Sequence, residues 1–215
     1  MAERALRPFA HVADLAHRAR LDRGDLTALA AAGALASLAG HRHNAVWEVA
    51  GVEKLPPILA VAGATFDDVD PQLPLPTEGQ DIVADYRALG LTLGRHPLAL
   101  LRLQLARRRM VTAADISRAP HGRIARTAGI VIGRQRPDTA SGVIFVTLED
   151  ETGCTNVIVW RDISDRQRRE LLGSRLMAVY GTVEREGDVV HVLAGRLVDL
   201  TPMLGSLQTR SRDFH

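Results

Sequence analysis

Residues 122–200 carry five runs of alternating apolar residues in a fixed order, and no other feature constrains the chain so strongly. The first run, 123–136, has Ile124, Ala128, Ile130 and Ile132 at or near every second position. The second, 142–149, reads GVIFVTLE and closes on the acidic turn Asp150-Glu151-Thr152-Gly153. The third, 155–160, reads TNVIVW. A polar stretch with helical character follows at 162–172, and the last pair of runs, 176–186 and 189–200, meets at Gly187-Asp188. Period-2 apolar runs bounded by Gly and Asp turns read as strands.

Five strands with one helix between the third and the fourth is the order of an OB-fold barrel. Barrels of this type hold single-stranded nucleic acid or oligosaccharide against their second and third strands. On the second strand Ile144, Val146 and Leu148 share one face, and Val143, Phe145 and Thr147 share the other. With the first set inward, Phe145 stands outside, where a base can stack on it, and Trp160 at the end of the third strand is a second platform. Either aromatic can equally anchor core or loop. The chain has only eight aromatic residues, so stacking is sparse and charge must carry most of any binding.

The net charge is only +2, but it is unevenly spread. Between Arg95 and Arg136 lie ten arginines and a single acid, Asp115. Such a local band is the electrostatic footprint of a polyanion partner, although an Arg-rich composition, in a chain whose only lysine is Lys54, yields the same count. The run 97–109, PLALLRLQLARRR, is expected to be a helix with Leu98, Leu101 and Leu105 on one side. Its Arg102, Arg107, Arg108 and Arg109 read as phosphate contacts or as solvated cations answering the helix dipole. Arg123, Arg126, Arg134 and Arg136 extend the band along the first strand.

Upstream of the barrel the fold class is helical, giving an α+β chain overall. Short helices are expected at 12–18, 25–32 and about 44–51, with Asp25 as N-cap, Leu26, Leu29 and Ala30 as one stripe, and Ala45, Val46 and Val49 inward beside a folded-in Trp47. Residues 1–51 thus form a small helical region and 52–80, with Pro56, Pro57, Pro71, Pro74 and Pro76, a linker. A helical connector spans 81–121 with a boundary at 119–122, the barrel spans 122–200, and 201–215 is a loosely ordered tail. The turn Arg20–Gly24 between the first two helices looks like half of a helix-hairpin-helix, which would offer Arg23 and the Gly24 backbone to a phosphate.

No catalytic constellation is visible. His41 and His43 lack a third ligand at useful spacing, and Glu149, Asp150 and Glu151 read as hairpin-turn acids rather than a metal site. Cys154 is the sole cysteine, which excludes an intramolecular disulfide and a CxxC site, and it reads as a small core residue. No apolar run reaches membrane-span length, so no membrane partner and a cytoplasmic location are expected.

Four stretches together resemble one family. They are PFAHVADLAHRARLDRGDLTALAAAGAL, DYRALGLTLGRHPLALLR, GIVIGRQRPDTASGVIFVTLEDETGCTNVIVW and the terminal SRDFH. They resemble the carboxy-terminal part of error-prone bacterial C-family DNA polymerases of the ImuC type, translesion relatives of the DNA polymerase III alpha subunit. The resemblance implies that the metal-binding palm lies outside these residues, so a Mg²⁺ cofactor is expected there and none in this chain. It implies that residues 9–38 are the second half of a tandem helix-hairpin-helix, and that the partners are single-stranded and duplex DNA. The alpha-subunit relatives carry a sliding-clamp peptide in the interval where Gln72, Leu73 and Leu75 lie. That QLPLP segment reads either as such a peptide or as plain linker, since it lacks the closing aromatic.

Two functional classes follow. One is a non-catalytic DNA-binding module of a translesion polymerase; the other is a module that docks ImuA- and ImuB-like accessory proteins. Arginines of the band converging on one face with Phe145 favour the first, and arginines scattered or paired with acids favour the second. The purified chain is expected to extend no primer in Mg²⁺ or Mn²⁺; nucleotide incorporation that survives removal of contaminating polymerases would refute this.

Overall fold

A computed structural model describes residues 5, 7–52, 73–137, 142–207, 209 and 212–213. The chain divides into two units, Met1–Leu89 and Gly90–His215. In the first, α1 (Val12–Ala19), α2 (Arg23–Ala31), α3 (Ala36–Ala39) and α4 (Arg42–Gly51) bury Val12, Ala16, Leu26, Ala30, Leu35, Ala45 and Val49 together. Histidines start two of these helices. The rings of His11 and His41 accept the backbone N–H of Asp14 and Asn44 through Nδ1, satisfying donors that a helix start leaves open. The start of α2 is a capping box built by Asp22 and Asp25, so the N-cap is Asp22 and not Asp25. Val46 and Trp47 point to solvent, Trp47 being 57% exposed, because the apolar stripe of α4 is already completed by Ala45 and Val49.

A fifth helix, α5 (Glu78–Leu89), is fixed to α4 by charge. The Arg42 guanidinium pairs with the Asp85 carboxylate and donates to the Asp81 carbonyl at 3.1 Å. Gly33, at φ +72°, lets this side chain pass: a Cβ there would sit 2.7 Å from Arg42 Nη2.

The second unit opens with α6 (Pro97–Arg107) and α7 (Ala113–Arg118) and continues into β1 (Ile124–Gln135), β2 (Ile144–Asp150) and β3 (Gly153–Val159). Two short helices, α8 (Arg161–Arg166) and α9 (Arg168–Gly173), stand where one was expected. They precede β4 (Leu176–Glu186) and β5 (Val189–Asp199). The sheet order is β2-β3-β5-β4-β1 with β1 also pairing β2, and β3 runs parallel to β5. This is a closed five-stranded OB-fold barrel. Because α6 and α7 belong to the barrel's unit and α5 to the first, residues 81–121 are not a separate connector and the cut at 119–122 falls inside a compact unit.

Closure depends on β1. Its residues Ile124–Ile130 pair with β4 and Ile130–Gln135 pair with β2, so one strand serves both edges. At the crossover Gly129 lies against β2: a Cβ there would meet Leu148 Cβ at 2.7 Å and the Glu149 backbone at 3.0 Å. The interior holds Ala125, Val131, Val146, Leu148, Val157, Val159, Met177, Val179, Val183 and Val192. On the outer face Ile130 and Leu176, paired in register, are buried as well. A 3₁₀ turn, Thr201–Leu204, packs on β4 there, with Leu204 and Leu207 buried, and Arg175 Nη1 donates to the Leu207 carbonyl at 2.7 Å. A two-residue strand, β6 (Arg212–Asp213), pairs with β1. The described part of the tail is therefore structured, not loose. Cys154 is exposed, because at the start of β3 its position points away from the core.

Replacing Gly129 by Ala is expected to cost about 1–3 kcal/mol in denaturant unfolding, the usual magnitude of overpacking. A variant as stable as the parent would show that β1 can bow away from Leu148 without loss.

Candidate nucleic-acid interface

The approach to the barrel is built by α6. His96 Nδ1 accepts the Leu98 N–H at 3.1 Å, Pro97 takes the first helical position, and Leu98 is fully buried. Burial lowers the pKa of His96 against the opposing pull of Glu149, Glu151 and Asp150, which keeps the ring a neutral acceptor. The RHPL motif is thus a helix start. The helix stops at Arg107, and Arg109 takes the left-handed conformation at φ 60°, with its N–H on the Ala106 carbonyl at 2.8 Å. Glycine is the usual residue there, and an arginine costs roughly 1 kcal/mol.

The arginine band separates into two classes. Arg102 binds the Glu151 carboxylate through Nε and, at 2.8 Å, through Nη2, and approaches Asp150 at 3.4 Å. Asp150 in turn accepts the Ala113 N–H at 2.7 Å, and Thr152 Oγ1 accepts the Ala114 N–H at 3.0 Å. The β2–β3 turn therefore clamps α6 and the start of α7, where a carboxylate also answers the helix dipole. Arg134 is 7% exposed and donates to the carbonyls of Leu171, at 2.7 Å, and Ser174. It closes the end of α9. Both residues read as phosphate contacts in the sequence, and both are structural, because their guanidinium groups are occupied inside the protein.

Arg109, Arg118, Arg123 and Arg126 converge instead. With Val111, Asp115, Ile116, Ala119, Ile124 and Ala125 they line one open cleft of about 630 Å³ where α7 meets the start of β1. All four arginines are exposed, and none of their guanidinium groups has a hydrogen bond or ion pair among the described residues. Asp115 offsets only one of these charges, and its carboxylate accepts the Thr112 N–H at 3.0 Å and the Thr112 hydroxyl at 2.8 Å. Those bonds, backbone first, lower its pKa. Four guanidinium groups and one carboxylate leave a net charge of +3 in the cleft. Arg107 and Arg108 are exposed beside it at the end of α6, and Arg136 is exposed after the far end of β1.

Phe145 does not join this cluster. It is half-buried on β2 and pairs in register with Gln135, at the opposite end of β1 from Arg123. Trp160, 52% exposed, precedes α8. At the start of α2, Arg23 and Gly24 are exposed, but Asp22 and Asp25 already place two carboxylates there, which repel a phosphate. Gln72 lies outside the described residues; Leu73 is half-buried and Leu75 exposed. Three residues escaped the sequence reading. Arg118 lay unremarked in the band, while Tyr180 and Arg196 meet only through the β4–β5 register, which pairs them.

A family model described as an OB-fold nucleic acid binding domain matches residues 125–200. The sequence is 56% identical, over 99% of the chain, to an error-prone DNA polymerase of Azoarcus sp.. It is 55% identical over 99% of the chain to that of Pseudomonas syringae pv. tomato. The chain is a relative of bacterial error-prone DNA polymerases. It spans about a fifth of the length of these relatives, with 20% of each covered, and corresponds to their carboxy-terminal part. Among solved structures, asparaginyl-tRNA synthetase from Pyrococcus horikoshii is 20% identical with a TM-score of 0.37, covering 47% of this chain and 24% of its own. No helix among the described residues is long and apolar enough to cross a membrane.

The clamp at Arg102 gives a pH signature. Burial alone raises the Glu151 carboxyl, but the hydrogen bonds and charge of Arg102 outweigh it and hold it below its ordinary value of 4.5. A carboxyl lowered in the folded state stabilises the fold above that value, and the contribution is lost as pH falls through the lower, folded pKa. Arg102→Gln is expected to cost about 1–3 kcal/mol at pH 7 and to make stability fall less steeply on acidification. Equal acid dependence in parent and variant would show that Arg102 does not hold the Glu151 carboxyl low.

Proposed function

We propose that this chain is a non-catalytic DNA-binding module of a translesion-type error-prone DNA polymerase, which holds template single strand beside the barrel. One observation carries the reading: Arg109, Arg118, Arg123 and Arg126 share a cleft without internal ion partners. Unpaired guanidinium groups at close spacing repel one another, and a phosphodiester backbone neutralises them while releasing its counterions. Kinship with the error-prone polymerases supports DNA as the polyanion, and the match to a nucleic-acid-binding barrel family supports the barrel's part in it. The work belongs to repair synthesis in the bacterial cytoplasm.

A docking role for ImuA- or ImuB-like proteins is favoured by a different surface. Leu91, Leu93, Leu100 and Leu103 are exposed on and before α6, and exposed apolar side chains suit a protein partner better than a phosphate backbone.

Fluorescence anisotropy with an oligo(dT) strand tests the DNA reading. With about four phosphates neutralised, the log–log salt slope is expected near −3 for a single strand. Charge reversal at Arg109 and Arg123 together should weaken binding to all sequences alike and flatten the slope towards about −1.5. Charge reversal at Arg136 should change it little. If the folded double variant binds as tightly as the parent at low and moderate salt, the docking role replaces the DNA role.

A further inference from the structure

We infer that the outer face of β1, β4 and β5 is a base-stacking platform centred on Tyr180, so that single-stranded DNA crosses this face and not the β2–β3 face carrying Phe145. The inference rests on the DNA reading above and adds the path and the base contact. Register brings Arg126 of β1, Tyr180 of β4 and Arg196 of β5 into one row. The guanidinium carbons of Arg126 and Arg196 lie over the Tyr180 ring, 5.3 Å and 5.7 Å from its centre. Neither guanidinium group has a hydrogen bond or ion pair among the described residues, and both arginines are exposed, so the ring is their shared neighbour.

The next row along the face is Ile124 beside Thr182. Ile124 is 82% exposed, and a β-branched apolar side chain this open on a strand has no packing role there. It offers an apolar contact to a second base. The row beyond, Glu184 beside His191, introduces an acid and marks where the platform ends. Arg126 and Ile124 line the cleft as well as this face, which makes the two continuous: phosphates along Arg109, Arg118 and Arg123, then a base against Tyr180 with flanking guanidinium groups. An aromatic ring next to cations accepts a base of any sequence, since every base has a π-face.

Photocrosslinking of the unaltered chain to oligo(dT) bearing one 5-iodo-deoxyuridine reads the contact directly. The expected adduct falls on Tyr180, in the tryptic peptide of residues 176–185. Adducts confined to Phe145 or Trp160 overturn the inference while leaving the DNA reading intact; absence of single-strand binding overturns both. In anisotropy titrations Tyr180→Phe should keep its affinity, and Tyr180→Leu should lose about 5- to 100-fold without a change in salt slope. Replacing the oligonucleotide by one with abasic sites separates stacking from structure. It should weaken the parent more than Tyr180→Leu, whereas equal weakening of the two would leave Tyr180 a structural residue and sink the platform.

Discussion

The double pairing of β1 is the constraint on which the second unit depends. A twelve-residue strand reaches from β4 at one end to β2 at the other, and this closes the barrel without an exposed edge. The strand changes partners next to Gly129, where Leu148 and the β2 backbone leave no room for a side chain. The two ends of β1 then lie in different surroundings. Its start, beside β4 and α7, is open to the cleft; its end, beside β2, is covered in part by β6. The position of every arginine on β1 follows from that difference.

The same geometry sorts a uniform-looking basic band. Arg134 sits in the second half of β1 and turns inward to close the end of α9. Arg102 stands at the middle of α6 and meets the acids of the β2–β3 turn. Arg123 and Arg126 sit at the opposite end of β1, where Arg109 and Arg118 arrive from the helices. The acids of the β2–β3 turn are therefore more than turn formers: by holding Arg102 and the start of α7 they position two of the elements that frame the cleft. A change in this structural clamp would reach the DNA surface through the placement of α6 and α7, with no contact to DNA of its own.

Much of the barrel was legible because local chemistry and topology agree there. Alternation marked all five strands, Gly187-Asp188 and the acidic turn marked the hairpins, and the helix after the third run fell in place as a broken pair. The phase of the first strand was not legible. Ile124, Ala128, Ile130 and Ile132 alternate, yet Ala125 and Val131 face the core, since the tail covers part of the outer side and allows apolar residues on both. Trp47 and Cys154 misled for a related reason: residue type gives an average burial, and position on the element decides the individual case.

The sequence by itself determined that five strands and a helical interruption would close a barrel, that helices would precede it, and that its cations would gather between Arg95 and Arg136. Those properties are periodic or compositional, and they are carried by neighbours along the chain. Only the tertiary structure decided which arginines are free. An arginine's role depends on whether a carboxylate or carbonyl from a distant segment reaches it, as Glu151 reaches Arg102 across 49 positions. Tyr180 and Arg196 were invisible for the same reason, because a cross-strand row exists only once the β4–β5 register and its bulge at Tyr180/Gly181 are set.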